Sequence, residues 1–255
     1  MKRLILLFLL TAGFAQAQDL KGKIEYDETV QFKMNFGGDM DEAMFANIPK
    51  SNTNSYELIF GNDKSLYRTS TNPEQKEAPK QMFTSDDGAQ IEIKTKRSED
   101  VTFYNMPKKE LVQKVDFMDR VFLIEDDLKT LKWKIEPDTK TVLSYNCQKA
   151  SYTEDSTTYE AWFTTQIPTS IGPSRFVGLP GAILELSVND GERTYIATSV
   201  DLEADYSSEI ESPGKGKKVT REEFNKIREE KLKEMEAEFG GAHQGGGVKV
   251  FIQKN

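Results

Sequence analysis

From Leu20 to about Val200, apolar and polar residues alternate in short runs separated by turn residues, the pattern of antiparallel β-structure. In the first run Ile24, Tyr26, Glu28, Val30, Phe32, Met34 and Phe36 share one parity, which predicts a strand over Gly22–Phe36 that ends at Gly37-Gly38-Asp39. Asp39–Ile48 has apolar residues at helical spacing and is stopped by Pro49. Tyr56–Phe60 and Ser65–Thr69 flank Gly61-Asn62-Asp63-Lys64 as a hairpin, and strands follow at Gln90–Lys94, Val101–Tyr104, Glu110–Phe117 and Val121–Glu125. After Trp133-Lys134-Ile135 and Pro137, Thr141–Tyr152 reads as one long strand, paired with Thr157–Phe163. Ala182–Val188 and Arg193–Val200 flank Asn189-Asp190-Gly191, residues that tolerate positive φ, and form the clearest hairpin of the chain.

The period changes near the C-terminus. Ser212–Gly216 reads as a polar linker, and Thr220 with Glu223 forms a capping box that opens a helix over about 220–239. Phe224, Ile227, Leu232, Met235 and Phe239 lie in one sector of that helix, so an apolar stripe should dock on the sheet. Gly240-Gly241 ends it, and a last strand is predicted over about 248–252. The expected architecture is mainly β (α+β): a single curved antiparallel sheet or half-barrel of about ten strands, with one long C-terminal amphipathic helix and that last strand.

The first residues alter the setting. Lys2 and Arg3, the apolar run Leu4–Phe14 and Ala15-Gln16-Ala17 follow the pattern of a cleaved secretory signal peptide over residues 1–17. Residues 18–255 are then a single β-rich domain, exported to the periplasm and not lipid-anchored, since residue 18 is Gln and not Cys. Removing two basic residues takes the net charge from −8 to −10. Such an acidic chain is a poor partner for nucleic acid, and no second apolar run is long enough to span a membrane.

The usual chemistry is sparse. The one histidine, His243, sits in a Gly-rich connector, and the one cysteine, Cys147, alternates with Leu143 and Tyr145 along a strand-like run that points to burial. No nucleophile elbow, zinc motif or phosphate loop is present, and one His with one Cys cannot build an ordinary zinc site. Neither a metal nor a cofactor is expected. A carboxylate pair for hydrolysis is not identifiable among 42 Asp and Glu, and Trp133 and Trp162 are the obvious aromatic candidates for either core or ligand contact.

Ala161–Leu186 carries the most information: a strand, a Pro/Gly-rich apolar loop, a turn and a strand. Pro180 and Gly181 suit the two central positions of a type II turn. The loop either pins itself to the core or presents a binding edge, with Trp162, Phe176, Gly178, Leu179, Pro180 and Gly181 as the candidate ligand- or partner-binding residues and no catalytic or metal residue. The run Gly178-Leu179-Pro180-Gly181-Ala182-Ile183-Leu184-Glu185, preceded by Ala161-Trp162, Ile167-Pro168 and Gly172-Pro173, resembles the signature of the GLPGLI family of exported Bacteroidota proteins. Trp133-x-Ile135 and Cys147–Ala150 resemble that family's pattern too, and Ala182 departs from it by standing where the family has Leu. The resemblance covers about 133–200. It implies export and an outer-membrane receptor as partner, and transfers no active site. The expected function is therefore a non-catalytic periplasmic binding or assembly protein. The alternatives are a lipid or peptide carrier on a half-barrel, or a carboxylate-based hydrolase.

Overall fold

The structure is a computed structural model that describes residues 20–31, 50–71, 81–84, 90–93, 100–127 and 131–240, with side chains for all but 81–84, 90–93 and 235–240. The predicted signal peptide, the 39–48 helix, the far end of the first strand, His243 and the last strand lie outside the described residues. The strands are β1 (Gly22–Gln31), β2 (Ser51–Gly61), β3 (Lys64–Thr69), β4 (Gln81–Thr84), β5 (Gln90–Ile93), β6 (Val101–Asn105) and β7 (Glu110–Phe117). They continue with β8 (Arg120–Asp127), β9 (Lys134–Val142), β10 (Tyr145–Glu154), β11 (Thr157–Thr164), β12 (Ala182–Val188), β13 (Arg193–Asp201) and β14 (Lys217–Val219), followed by helix α1 (Arg221–Gly240).

Twelve strands form one sheet in the order β14-β8-β7-β6-β3-β2-β1-β13-β12-β11-β10-β9, and β4 and β5 pair separately. The fold is mainly β with one C-terminal helix, as the alternation predicts. β1 is central: one antiparallel meander runs outward from it through β2, and a second returns to it through β13. Covalent reach then requires curvature. β8 and β9 stand ten strand positions apart, about 48 Å across a flat sheet. The seven Cα steps from Asp127 to Lys134 span at most about 25 Å. The sheet must therefore bend towards closure, which gives it an inner face.

Register assigns residues to that face. Ile24, Tyr26 and Glu28 of β1 alternate inward, opposite Leu58 and Tyr56 of β2, and Tyr67 of β3 lies opposite Leu58. The inner face continues through Thr102 and Tyr104 of β6 and Leu111 and Gln113 of β7. The loop between β11 and β12 fills one side of it, burying Ile167, Ile171, Phe176 and Leu179 among Tyr159, Phe163, Ile183 and Tyr195. Val177 of the same loop packs on Tyr104 and Leu111. At the other end Phe224 of α1 sits edge-on against Phe117 and Phe122, with ring centroids 5.9 and 5.4 Å apart. With both the loop and the helix seated on it, the inner face is not the open trough that a lipid or peptide carrier needs. The outer face carries a smaller core of Ile59, Leu66, Phe103, Val112 and Leu123, covered by Ile210 and Tyr206. Arg68 bonds the buried Glu57 at 2.6 Å and Glu209 at 2.5 Å, tying that covering segment down.

Local chemistry accounts for most boundaries. Asn62 and Asp63 take φ of 51° and 57° in the β2–β3 turn, and Asn189, Asp190 and Gly191 take 47°, 53° and 96° in the β12–β13 turn. Three expectations need correction. The strand read over Thr141–Tyr152 is the β9–β10 hairpin, turned at Leu143 with φ 53°, a conformation that an apolar γ-branched residue does not advertise. Ser212–Gly216 carries no helix or strand, and directly after it Lys217–Val219 pairs parallel to Phe122–Ile124, a strand that the sequence pattern did not predict. Among the described side chains of the α1 stripe, Phe224 is buried and Ile227 half-buried, but Leu232 is exposed. Gly181 is not a positive-φ turn residue; Gly178, with φ 99°, is. No described helix is long and apolar enough to cross a membrane.

Candidate functional site

β1 and β13 bring together the charged pair of the inner face. Glu28 shares the parity of Ile24 and Tyr26, so alternation drives a carboxylate into the buried face. Its antiparallel partner is Tyr195, and Arg193 lies two residues before that on β13. The Arg193 Nε stands 3.5 Å from Glu28 Oε1, with the two side chains 15% and 7% exposed. Removing either partner would leave a half-desolvated charge.

Tyrosines surround the pair. Tyr56 and Tyr67 stack with centroids 5.0 Å apart and planes within 9°, and Tyr26 meets Tyr67 edge-on at 6.2 Å. The Tyr26 hydroxyl donates to the Ile183 carbonyl at 2.6 Å. Burial first, and then the Glu28 carboxylate beside them, push the Tyr56, Tyr67 and Tyr195 hydroxyls well above the ordinary range. Asp100 adds to the rise at Tyr56. Burial opposes the charge on Arg193, but the groups around it, Tyr195 and Glu28 foremost, outweigh this and hold the guanidinium protonated. The cluster thus offers an anchored acceptor, a fixed donor fork and flat ring faces, which together suit a ligand bearing hydroxyl or amide groups.

A row of rings leads to this cluster from the loop side. Trp133, Tyr152, Tyr159, Phe176 and Tyr195 follow one another with centroids 5.3 to 6.1 Å apart. The Trp133 indole donates to the Val177 carbonyl at 2.9 Å, which ties the β9 side of the sheet to the loop.

The residues singled out from sequence are not brought together. Phe176 and Leu179 are buried under the loop, and Pro180 and Gly178 are exposed at its surface. Gly181 is buried because a Cβ there would run into the Thr164 carbonyl. Trp162 alternates out of the buried set Ala161 and Phe163, and its ring lies under Lys140 Nζ at 4.4 Å, beside Glu185. Cys147 is buried, its thiol donates to the Tyr145 carbonyl at 3.7 Å, and burial pushes it up to about 11. Among the described residues no cluster of three or more His, Cys, Asp or Glu is placed to hold a metal. Sequence reasoning missed Glu28 as a site residue although it set the parity of its strand. A carboxylate in an otherwise apolar parity was the available signal.

The family of the N-glycanase peptide, N-terminal domain, matches residues 53–221. The chain belongs to this family. That span includes the stretch on which the GLPGLI resemblance rested and replaces it. Glycine at 178 and 181 answers backbone demands of a shared loop, so a short Gly-Pro run is weaker ground than a match over most of the sheet. The expectation of a purely non-catalytic, non-enzymatic protein is corrected with it, since the family is named for a hydrolytic enzyme. No functionally curated protein matches the chain. Among solved structures, two crystal forms of PNGF-II share its fold. One is 20% identical with a TM-score of 0.50, covering 78% of this chain and 32% of that one. The other is 19% identical with a TM-score of 0.52, covering 82% and 32%. The chain thus spans about a third of the length of PNGF-II.

Proposed function

We propose that this protein acts in the hydrolytic release of asparagine-linked glycans, and that the Glu28–Arg193–tyrosine cluster engages the junction between sugar and peptide. In that reaction water adds to the side-chain amide carbonyl, the C–N bond breaks, the glycosylamine leaves and the asparagine becomes aspartate. The observation that carries the reading is a charged pair set among stacked tyrosines on the inner face of a domain from an N-glycanase family. The junction presents an amide N–H and sugar hydroxyls, for which Glu28 is an acceptor, and an amide carbonyl, for which Arg193 is a donor, and because the pair is buried its engagement requires the β11–β12 loop that covers the inner face to lift. Tyrosine faces suit the C–H faces of a sugar ring. The export expected from the pattern of residues 1–17 supports this reading, since it would bring the protein to glycosylated material outside the cytoplasm.

The test uses the full chain with an N-glycosylated peptide and the same peptide unglycosylated, following affinity by calorimetry and glycan release by mass spectrometry. The glycosylated form should bind selectively, and Glu28→Gln should weaken it by about ten- to a hundredfold, the worth of a charged hydrogen bond. Tyr195→Phe, which keeps the ion pair, should weaken it less. Equal affinity for both peptides with no release would overturn the proposal.

A further inference from the structure

Three arginines stand together where the β11–β12 loop meets α1. Register runs across the inner face from Tyr104 of β6 to Leu111 of β7 and Asp126 of β8. Val177 of the loop packs on Tyr104 and Leu111, and Arg175 stands two residues before it. From the other side, Arg221 opens α1 with its Nε 3.5 Å from Asp126 Oδ2. Arg228 follows two turns later on the same face of the helix, about 10 Å further along its axis. The charges of Arg175 and Arg221 both bear on the Tyr104 hydroxyl, and those of Arg175 and Arg228 both bear on Arg221.

This gathering runs against the composition. The chain has 34 Lys and Arg against 42 Asp and Glu, so an average patch of its surface carries an excess of acid. Here the acids are loosely placed. Among the described residues Asp126 meets Arg221 only at 3.5 Å, Glu154 meets Arg175 only at 3.9 Å, and the Tyr159 hydroxyl accepts from Arg175 at 3.4 Å. A well-formed guanidinium–carboxylate pair closes to about 2.8 Å and uses two N–H groups. Three neighbouring acids are engaged elsewhere: Glu125 with Lys218 at 2.7 Å, Glu223 in the helix cap and Glu229 with Lys233 at 2.7 Å. Arg221 is 25% exposed and Arg175 43%, so their donors are partly desolvated yet open to solution. Burial, with Arg175 and Arg228 adding to it, holds the Arg221 guanidinium below its ordinary value despite Asp126. An incoming anion relieves that repulsion.

We infer that this loop–helix junction, lined by Arg175, Arg221 and Arg228, binds an acidic stretch of extended peptide through two or three of its carboxylates. The inference does not depend on the N-glycan reading. Guanidinium forks match carboxylates in shape and charge. The arrangement selects several carboxylates in a row over a single one, because Arg221 and Arg228 leave the helix about 10 Å apart. On an extended chain every second side chain falls on the same face, about 7 Å apart, a spacing that long arginine side chains reach. A long polyanion such as nucleic acid is disfavoured, since beyond the junction it meets a chain of net charge −8. The Phe176 ring, 5.8 Å from the Arg175 guanidinium, helps to hold that donor in place without neutralising it.

The experiment follows fluorescence anisotropy of a dye-labelled, end-capped peptide of five residues alternating aspartate and serine, titrated with the full chain. The same peptide with asparagine for each aspartate is the control. At low salt the aspartate peptide should bind at least about tenfold more tightly, and about 0.5 M salt should remove most of that difference. Arg175→Gln and Arg228→Gln should each weaken binding about three- to tenfold. Lys134→Gln removes the same charge from the exposed edge strand β9 and should change binding less than about twofold. N-acetylneuraminic acid and inorganic phosphate, each a single anion, should displace the peptide only at about a hundredfold higher concentration. The inference is overturned by equal affinity for the two peptides, by arginine variants that bind as the parent does, or by a Lys134 variant that loses as much as they do. Displacement by a single anion at the peptide's own concentration overturns it too, since one carboxylate then suffices. The peptide comparison, the salt dependence and the displacement use the parent chain alone, so they decide the matter even where a variant folds poorly. No probe carries an N-glycan, so the outcome is separate from that of the Glu28 cluster.

Discussion

Gly178 and Gly181 answer two different steric demands, three residues apart. Gly178 holds φ at 99°, where a Cβ meets the backbone of its own residue. Gly181 has ordinary φ but lies against the next strand, so that an added methyl would run into the Thr164 carbonyl and approach the Thr165 nitrogen. Backbone cannot step aside as a flexible side chain can. Gly181→Ala should therefore destabilise the domain by about 2–3 kcal/mol, through forced displacement of β11 from β12. Urea unfolding read by tryptophan fluorescence would measure it; a midpoint equal to the parent's would mean the two strands have slack that the packing does not show. The sequence pattern identified this segment as special but assigned the wrong glycine to the positive φ, because Pro-Gly spacing speaks only for the turn and not for the neighbour across it. Glu28 shows the complementary limit. Its parity was legible from Ile24 and Tyr26, yet its partner Arg193 is supplied by a strand 165 residues later, and no local pattern connects the two.

Among elements, α1 separates what amphipathicity predicts from what packing uses. The capping box forms as read: the Thr220 amide donates to Glu223 Oε2 at 2.9 Å and the Glu223 amide to Thr220 Oγ1 at 3.2 Å. Among the described side chains of the stripe, Phe224 and Ile227 pack on apolar residues of β7, β8 and β14, whereas Leu232 is exposed. Beyond that the helix is covered by its own ion pairs, Lys233 with Glu229 and Lys231 with Glu234, which are worth little each when so exposed. Phe224→Ala should therefore cost about 3 kcal/mol, the loss of a buried aromatic that two rings grip. Leu232→Ala should stay within about 0.5 kcal/mol. Paired urea titrations decide this; a comparable cost at Leu232 would show that the distal turns are docked too. The tight hairpins were legible because Asn, Asp and Gly name their own φ. The β9–β10 turn and the parallel pairing of β14 were not: one has Leu143 at positive φ, and the other is three residues held by a neighbour distant in sequence.

At the scale of the molecule, closure of the sheet places most tyrosines where ionisation and folding cannot coexist. Of nine tyrosines, six are buried, and five of these, Tyr26, Tyr56, Tyr67, Tyr104 and Tyr195, are at most 4% exposed. Burial raises each hydroxyl well above its ordinary value of 10.0. Cys147 is raised in the same way, from 9.0 to about 11. For an acid whose value is higher in the folded state, the native chain keeps its proton at a pH where the unfolded chain has lost it. The unfolded state then binds fewer protons, and stability falls as pH rises. The window follows from these groups: full stability below about pH 9, a first decline between about 9 and 10 from Cys147, and a steep one above about 10 as the unfolded tyrosines ionise. Urea midpoints measured at about pH 8, 9.5 and 10.5 should fall in that order, and Cys147→Ala should lessen the first decline by about half and leave most of the second. Tyrosinate absorbance of these five should appear only together with loss of the fold. A single smooth titration of all nine near 10, with the sheet intact, would mean that the inner face admits water and hydroxide freely.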